Sequence, residues 1–313
     1  MTNLVRLRQA PLQEVIDRVD VGDPKLVSPI ILSVSSCRSG STIMLRVFGA
    51  VGVTSFFQEL KYIQRWRMLG GESSWKIPQR PEEPIYLKET LGPYTRAGSE
   101  FNPVDVLLGA GFPPEKLHVL ILGRAPLSTW LSWQVWWGDR TSVEYFVTTY
   151  QTVERIRQQA RRLRIASTVL VYEAARDNKP ELVIQNLFGR LGVAYAPIAV
   201  RGWAGLPPFG APGSNVVLPR RPPMFLVPGL HHRVETADRF TCVSRAADIP
   251  GLDAAQVKRI RDAGVADLYD RWRAACERDL RVAVQPDQEW ALYEKRELAG
   301  LQDSPTFLSG AEK

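Results

Sequence analysis

Short apolar runs alternate with longer amphipathic stretches along this chain. Ile30-Ile31-Leu32-Ser33-Val34, Ile85-Tyr86-Leu87-Lys88, Leu117 to Leu122 and Thr168 to Glu173 are brief and rich in β-branched residues, the mark of buried strands. Between them lie helical patterns: one after Thr42, one within 102–117, one following Pro126, a long charged one from Val143 to Leu163, and one over 180–191. A further helical pattern, carrying Val257, Ile260, Val265, Leu268 and Trp272, spans 253–281. Near the N-terminus Leu12, Val15, Ile16 and Val19 recur at helical spacing, which predicts a helix and connector within 1–27. Regular strand–helix alternation predicts an α/β protein, a parallel β-sheet flanked by helices. Ligands bind such sheets at the carboxyl ends of the strands, where Arg38, Lys88 and Arg124 would converge.

The pattern divides the chain. Residues 28–195 carry the strand–helix alternation of the core, with 54–84 a mixed charged and aromatic stretch. Residues 196–250 change character: Pro and Gly are frequent, and Arg220-Arg221-Pro222-Pro223 and His231-His232-Arg233 are embedded. They read as a substrate or lid segment. Together 1–281 form one domain, and 282–313 a C-terminal extension frayed from about 298.

Composition narrows the chemistry. With 45% hydrophobic residues the chain can bury a substantial core. Three Cys without paired spacing and three His argue against a disulfide framework or a zinc site. No signal peptide and no 18-residue apolar span is visible, so a cytoplasmic setting without a membrane span is expected. The net charge is +7. No repeated basic–aromatic pattern marks a nucleic-acid module, and a multiply charged small ligand suffices to explain local basicity.

The segment joining the first strand to its helix, Ser35-Ser36-Cys37-Arg38-Ser39-Gly40-Ser41-Thr42, carries the clearest signal. Strand, hydroxyl-rich turn and helix present backbone N–H groups at a helix N-terminus, which favours an anion. Arg38 adds a fixed charge with a planar fork of donors, and Gly40 allows close backbone approach. It is not a Walker loop: Ser35 stands where that motif has its first Gly, and Ser41 where it has Lys. A basic residue followed by Ser-Gly-Ser-Thr resembles the 5′-phosphosulfate loop of sulfotransferases, enzymes that use 3′-phosphoadenosine 5′-phosphosulfate (PAPS). Many members carry Lys at the position of Arg38.

Two further segments extend the resemblance over about 28–195. Arg124 at a strand end, Pro126 two residues on and Ser132 eight residues on reproduce the family spacing for binding the 3′-phosphate. Tyr172-Glu173 after a strand is similar to a family pair whose Tyr lies near the adenine. The resemblance implies a P-loop-like sulfotransferase fold. It implies PAPS as co-substrate, 3′-phosphoadenosine 5′-phosphate (PAP) as product, no metal, and a small-molecule acceptor. It puts Cys37, Arg38, Ser39, Gly40, Ser41, Thr42, Arg124, Ser132 and Tyr172 on the nucleotide. Arg38 and Lys88 would stabilise charge. Thr90 stands where the family commonly has a His base, so the proton acceptor falls to Glu59, which follows Phe56-Phe57, with Glu89 next and His231 or His232 last. Trp130, Trp133 and Trp137 share a helix face and read first as core, second as an acceptor wall. A phosphotransferase, or a nucleotide binder that lost catalysis, remains open on the residues. The acceptor's identity and the oligomeric state are not readable from the chain.

Overall fold

The computed structural model describes residues 10–225, 227, 229–243 and 246–298. Six parallel strands form its main sheet: β1 (Ile30–Ser36), β2 (Ser55–Phe57), β3 (Ile85–Leu91), β4 (Leu117–Gly123), β5 (Ala166–Val171) and β6 (Val216–Val217), in the spatial order β5-β4-β1-β3-β2-β6. All seven residues of β1 and of β3 are buried. Both faces are therefore covered, and the strands read as continuous apolar runs rather than alternating ones. The α/β expectation holds.

Helices α1 (Ser41–Ala50), α2 (Glu59–Met68), α3 (Pro126–Trp137), α4 (Val143–Arg162), α5 (Pro180–Leu191) and α6 (Val265–Leu280) surround the sheet. Pro126 and Pro180 open α3 and α5, where a missing N–H costs nothing. At the β5 edge, α6 supplies acceptors to the outward strand donors. Val169 N donates to Asp279 Oδ2 at 3.0 Å and Val171 N to Cys276 Sγ at 3.5 Å. The same helix stacks Trp272 on Tyr150 of α4 with ring centroids 5.3 Å apart. That edge is thus closed against further pairing.

The details differ from the sequence reading in three places. The N-terminal helix covers only Leu12–Ile16, while Val19–Asp20 pairs in parallel with Trp75–Lys76. The stretch 54–84, left mixed above, holds both β2 and α2. Within the C-terminal extension a helix, Glu289–Leu298, docks on α3: Ser128 N donates to Glu289 Oε2 at 2.8 Å, and Ser128 Oγ also donates to that carboxylate. Residues 299–313, within the stretch expected to fray, lie outside the described residues. Among the described residues no helix is long and apolar enough to cross a membrane.

Candidate active site

The strand order reverses about β1. The chain leaves β1 towards β2 and β3 on one side, then crosses to β4 and β5 on the other. Such a switch point opens a crevice at the carboxyl end of the central strand, and the 37–42 turn fills that position. Arg38 (φ 72°) and Gly40 (φ 81°) both take the left-handed conformation. Gly40 is the N-cap of α1, and no side chain caps the helix. The N–H groups of its first turn are therefore available to an anion. Ser39 Oγ is buried without a hydrogen-bond partner.

Residues distant in sequence converge on this turn. Arg124, at the end of β4, donates from Nη1 to Arg38 O at 3.0 Å and from Nη2 to Val243 O at 3.3 Å; its Nε is buried without a partner. The Arg124 guanidinium lies 4.5 Å from the Tyr172 ring centre. That ring also covers Gly40, where an added Cβ would sit 2.7 Å from Tyr172 Cδ2. Glu173 fixes the turn below: Ala125 N donates to its Oε1 at 3.0 Å and Tyr269 OH to its Oε2 at 2.8 Å. Ser132 on α3 accepts from Arg38 Nε at 2.9 Å, and Trp133 Nε1 donates to Cys37 O at 2.8 Å. Trp130, Trp133 and Trp137 are core, whereas Trp136, off that face, stacks on Arg38 at 5.2 Å.

Lys88 reaches the site from β3. Its ammonium sits 3.9 Å from the Phe57 ring centre, and burial lowers its pKa to about 7. Arg221 lies over Phe57 at 4.9 Å, and His231 meets the same ring edge-on at 5.2 Å. His231 Nδ1 is 3.3 Å from Thr42 Oγ1. Burial, then Lys88, Arg221 and Arg38, hold that imidazole neutral well below its ordinary pKa. The histidine ranked last from sequence is thus the one in contact with the loop. Nothing in the Pro/Gly-rich pattern around it signals where it lands. Val243 closes the other flank, its N donating to Tyr172 OH at 2.5 Å.

The carboxylates divide differently. Glu89 is engaged structurally, accepting from Leu60 N at 2.9 Å and Lys61 N at 3.2 Å at the start of α2. Glu59, the first residue of α2, is 8% exposed, and its carboxyl makes no hydrogen bond among the described residues. Burial, reinforced by Glu89, raises its pKa to about 8. Helix N-termini favour a charged carboxylate by about 0.3–1 kcal/mol. Glu89 takes the donors that would deliver that benefit, so desolvation wins. Among the described residues no cluster of His, Cys, Asp or Glu is arranged to hold a metal ion.

A narrow cleft runs from Ser39 and Gly40 past Tyr172 to Phe240, walled by Leu122 and Val171 at the ends of β4 and β5. No protein-family model matches this chain, and no curated protein matches it.

Proposed function

We propose that this protein is a PAPS-dependent sulfotransferase with a P-loop-like nucleotide site. The observation that carries the reading is the Arg124 guanidinium held on the backbone carbonyl of Arg38, 86 residues away, at the uncapped N-terminus of α1. A guanidinium fixed on the loop beside free helix donors, with the Arg38 guanidinium on Ser132 of α3, suits a ligand with two separate phosphate-like groups. The orphaned Ser39 Oγ and Arg124 Nε supply unmet donors for it. Gly40 lets the Tyr172 ring close over the turn, where a side chain would clash.

In the proposed step an acceptor oxygen forms a bond to sulfur as the bond from sulfur to the bridging 5′-phosphate oxygen breaks. The electron pair leaves with PAP, and the acceptor's proton passes to a base. Arg38 stays charged at any working pH, so it meets the growing negative charge rather than donating a proton. Lys88 assists on the acceptor side. Glu59 is assigned as base, since a pKa near 8 suits proton abstraction close to neutral pH. His231 is the competing base, favoured by its contact with Thr42.

Metal-free binding of PAP, much tighter than of adenosine 5′-phosphate, tests the nucleotide site. Transfer of label from PAPS to an acceptor tests the chemistry. Binding only of ATP with Mg²⁺ would replace this reading with a phosphotransferase. Arg38→Ala should lower turnover by about 100-fold or more while changing PAP affinity less.

A further inference from the structure

A short strap, residues 238–243, runs from Trp203 to the end of β4 and lies against the anion turn. Its root is firmly held. Trp203 N donates to Asp238 O at 2.8 Å and Phe240 N to Val200 O at 2.7 Å, and Arg201 and Arg239 form an antiparallel bridge. The Phe240 side chain is buried, its ring centre 6.4 Å from that of Trp203.

The other end is held differently. The Val243 side chain is 43% exposed, so little apolar burial fixes it. Main-chain groups make the contact: Val243 O accepts from Arg124 Nη2 at 3.3 Å, and Val243 N donates to Tyr172 OH at 2.5 Å. Cys242 adds a long thiol contact, Sγ to Tyr172 O at 3.8 Å.

These contacts fall on the groups that would receive an anion. Both terminal nitrogens of Arg124 are engaged by main-chain carbonyls, Arg38 O and Val243 O. Tyr172, whose hydroxyl meets Val243, keeps its ring over Gly40 at the start of α1. Phe240, Ser39, Gly40 and Tyr172 line one cleft, which with the strap in place is too narrow for a nucleoside phosphate. The unmet donors Ser39 Oγ and Arg124 Nε are closed off from solvent. A neutral carbonyl at 3.3 Å is a weak acceptor for a guanidinium, and a phosphate oxygen is a much stronger one. An anion arriving at Arg124 therefore displaces Val243 O readily, but it offers nothing that competes with the hydrogen bonds and buried ring of the root.

We propose that residues 241–243 form a displaceable strap end: Val243 O holds the place of a phosphate oxygen on Arg124, and anion binding lifts this end while the root stays on Val200 and Trp203. That the anion is PAP or PAPS rests on the reading above; the strap does not.

The test is hydrogen exchange resolved to single amides, on the intact protein alone and with PAP or inorganic pyrophosphate in large excess. With anion, the Val243 amide should exchange about 10-fold faster or more, the scale of one lost hydrogen bond, while the Phe240 amide keeps its rate. Ligands ordinarily slow exchange at their site, so the direction is diagnostic. Unchanged or slower exchange at Val243 with both anions overturns the proposal. Acceleration by pyrophosphate without any PAP binding would sink the sulfotransferase reading and leave the strap standing. A second measurement needs no ligand. Burial raises the Cys242 thiol to about 11, which slows its alkylation by a maleimide. Val243→Pro removes the N–H that meets Tyr172 and alters only an exposed side chain. Cys242 should be alkylated about 10-fold faster in this variant, with buried Cys276 as slow as in wild type. Equal Cys242 rates with Cys276 protected also overturn the proposal. Exposure of Cys276 would mark a misfolded variant, and the exchange measurement then decides alone.

Discussion

Glu59 makes the sharpest test, because one substitution probes burial and chemistry together. Its carboxyl stays protonated until about pH 8 instead of its ordinary 4.5. Each tenfold change in proton affinity is about 1.4 kcal/mol, so the folded state prefers the neutral form by about 5 kcal/mol. The folded pKa is the higher one. The associated stability is therefore fully present below about pH 4.5 and is lost as pH rises through about 8. Glu59→Gln keeps the shape and never ionises. Urea unfolding of both proteins at pH 5, 7 and 9 should show little difference at pH 5 and the Gln variant ahead by several kcal/mol at pH 9. A gap that stays constant across that range would refute the burial argument. Turnover reads the second half. If Glu59 is the base, Glu59→Gln should lose about 100- to 10,000-fold, and the wild-type limb rising through about pH 8 should vanish. Full activity in Glu59→Gln, with loss in His231→Asn, would transfer the role to the imidazole at Thr42.

Arg124→Ala should weaken PAP binding by about 2–4 kcal/mol while leaving adenosine 5′-phosphate nearly unchanged, and Ser132→Ala by about 1 kcal/mol, both by calorimetry. Gly40→Ala places a Cβ 2.7 Å from Tyr172 at φ 81° and should reduce both the melting temperature and PAP affinity; a variant that binds as well as wild type would show that Tyr172 does not pack as described. PAP binding at pH 8 should take up a fraction of a proton, because Lys88, lowered to about 7, regains charge beside an anion; calorimetry in buffers of different ionisation enthalpy reads this, and Lys88→Met should remove it.

The strand–turn–helix at 30–50 was legible because β1 is buried on both faces, so its residues form an unbroken apolar run. The spacing of Arg124 and Ser132 was legible because a single strand and its following helix carry both. By contrast, β2 has only three residues, too few for a period, and α2 buries Lys61, Gln64 and Arg65, so its inward face is not apolar. Polar residues buried by long-range partners defeat a pattern built on hydrophobicity. The same limit hid the Trp136 stack on Arg38 and the contact of His231 with Thr42, which come from separate elements meeting in space. The role of Glu89 as a clamp on the start of α2 also depends on a neighbour strand and could not be read from its own segment.

The crowding of cations is what joins these observations. Lys88, Arg124, Arg221 and His231 gather around one helix N-terminus, and among the described residues no carboxylate pairs with Lys88, Arg124 or Arg221. Burying like charges together costs stability unless something compensates. Within the chain the compensation is partial: aromatic faces at Phe57 and Tyr172, a Lys88 ammonium whose pKa burial lowers to about 7, and a His231 imidazole held neutral. An incoming dianion would restore charge to Lys88 and supply acceptors to the orphaned donors of Ser39 and Arg124. Cations that burial weakens and an anion would strengthen have the electrostatics of a ligand cleft rather than of a structural ion-pair network.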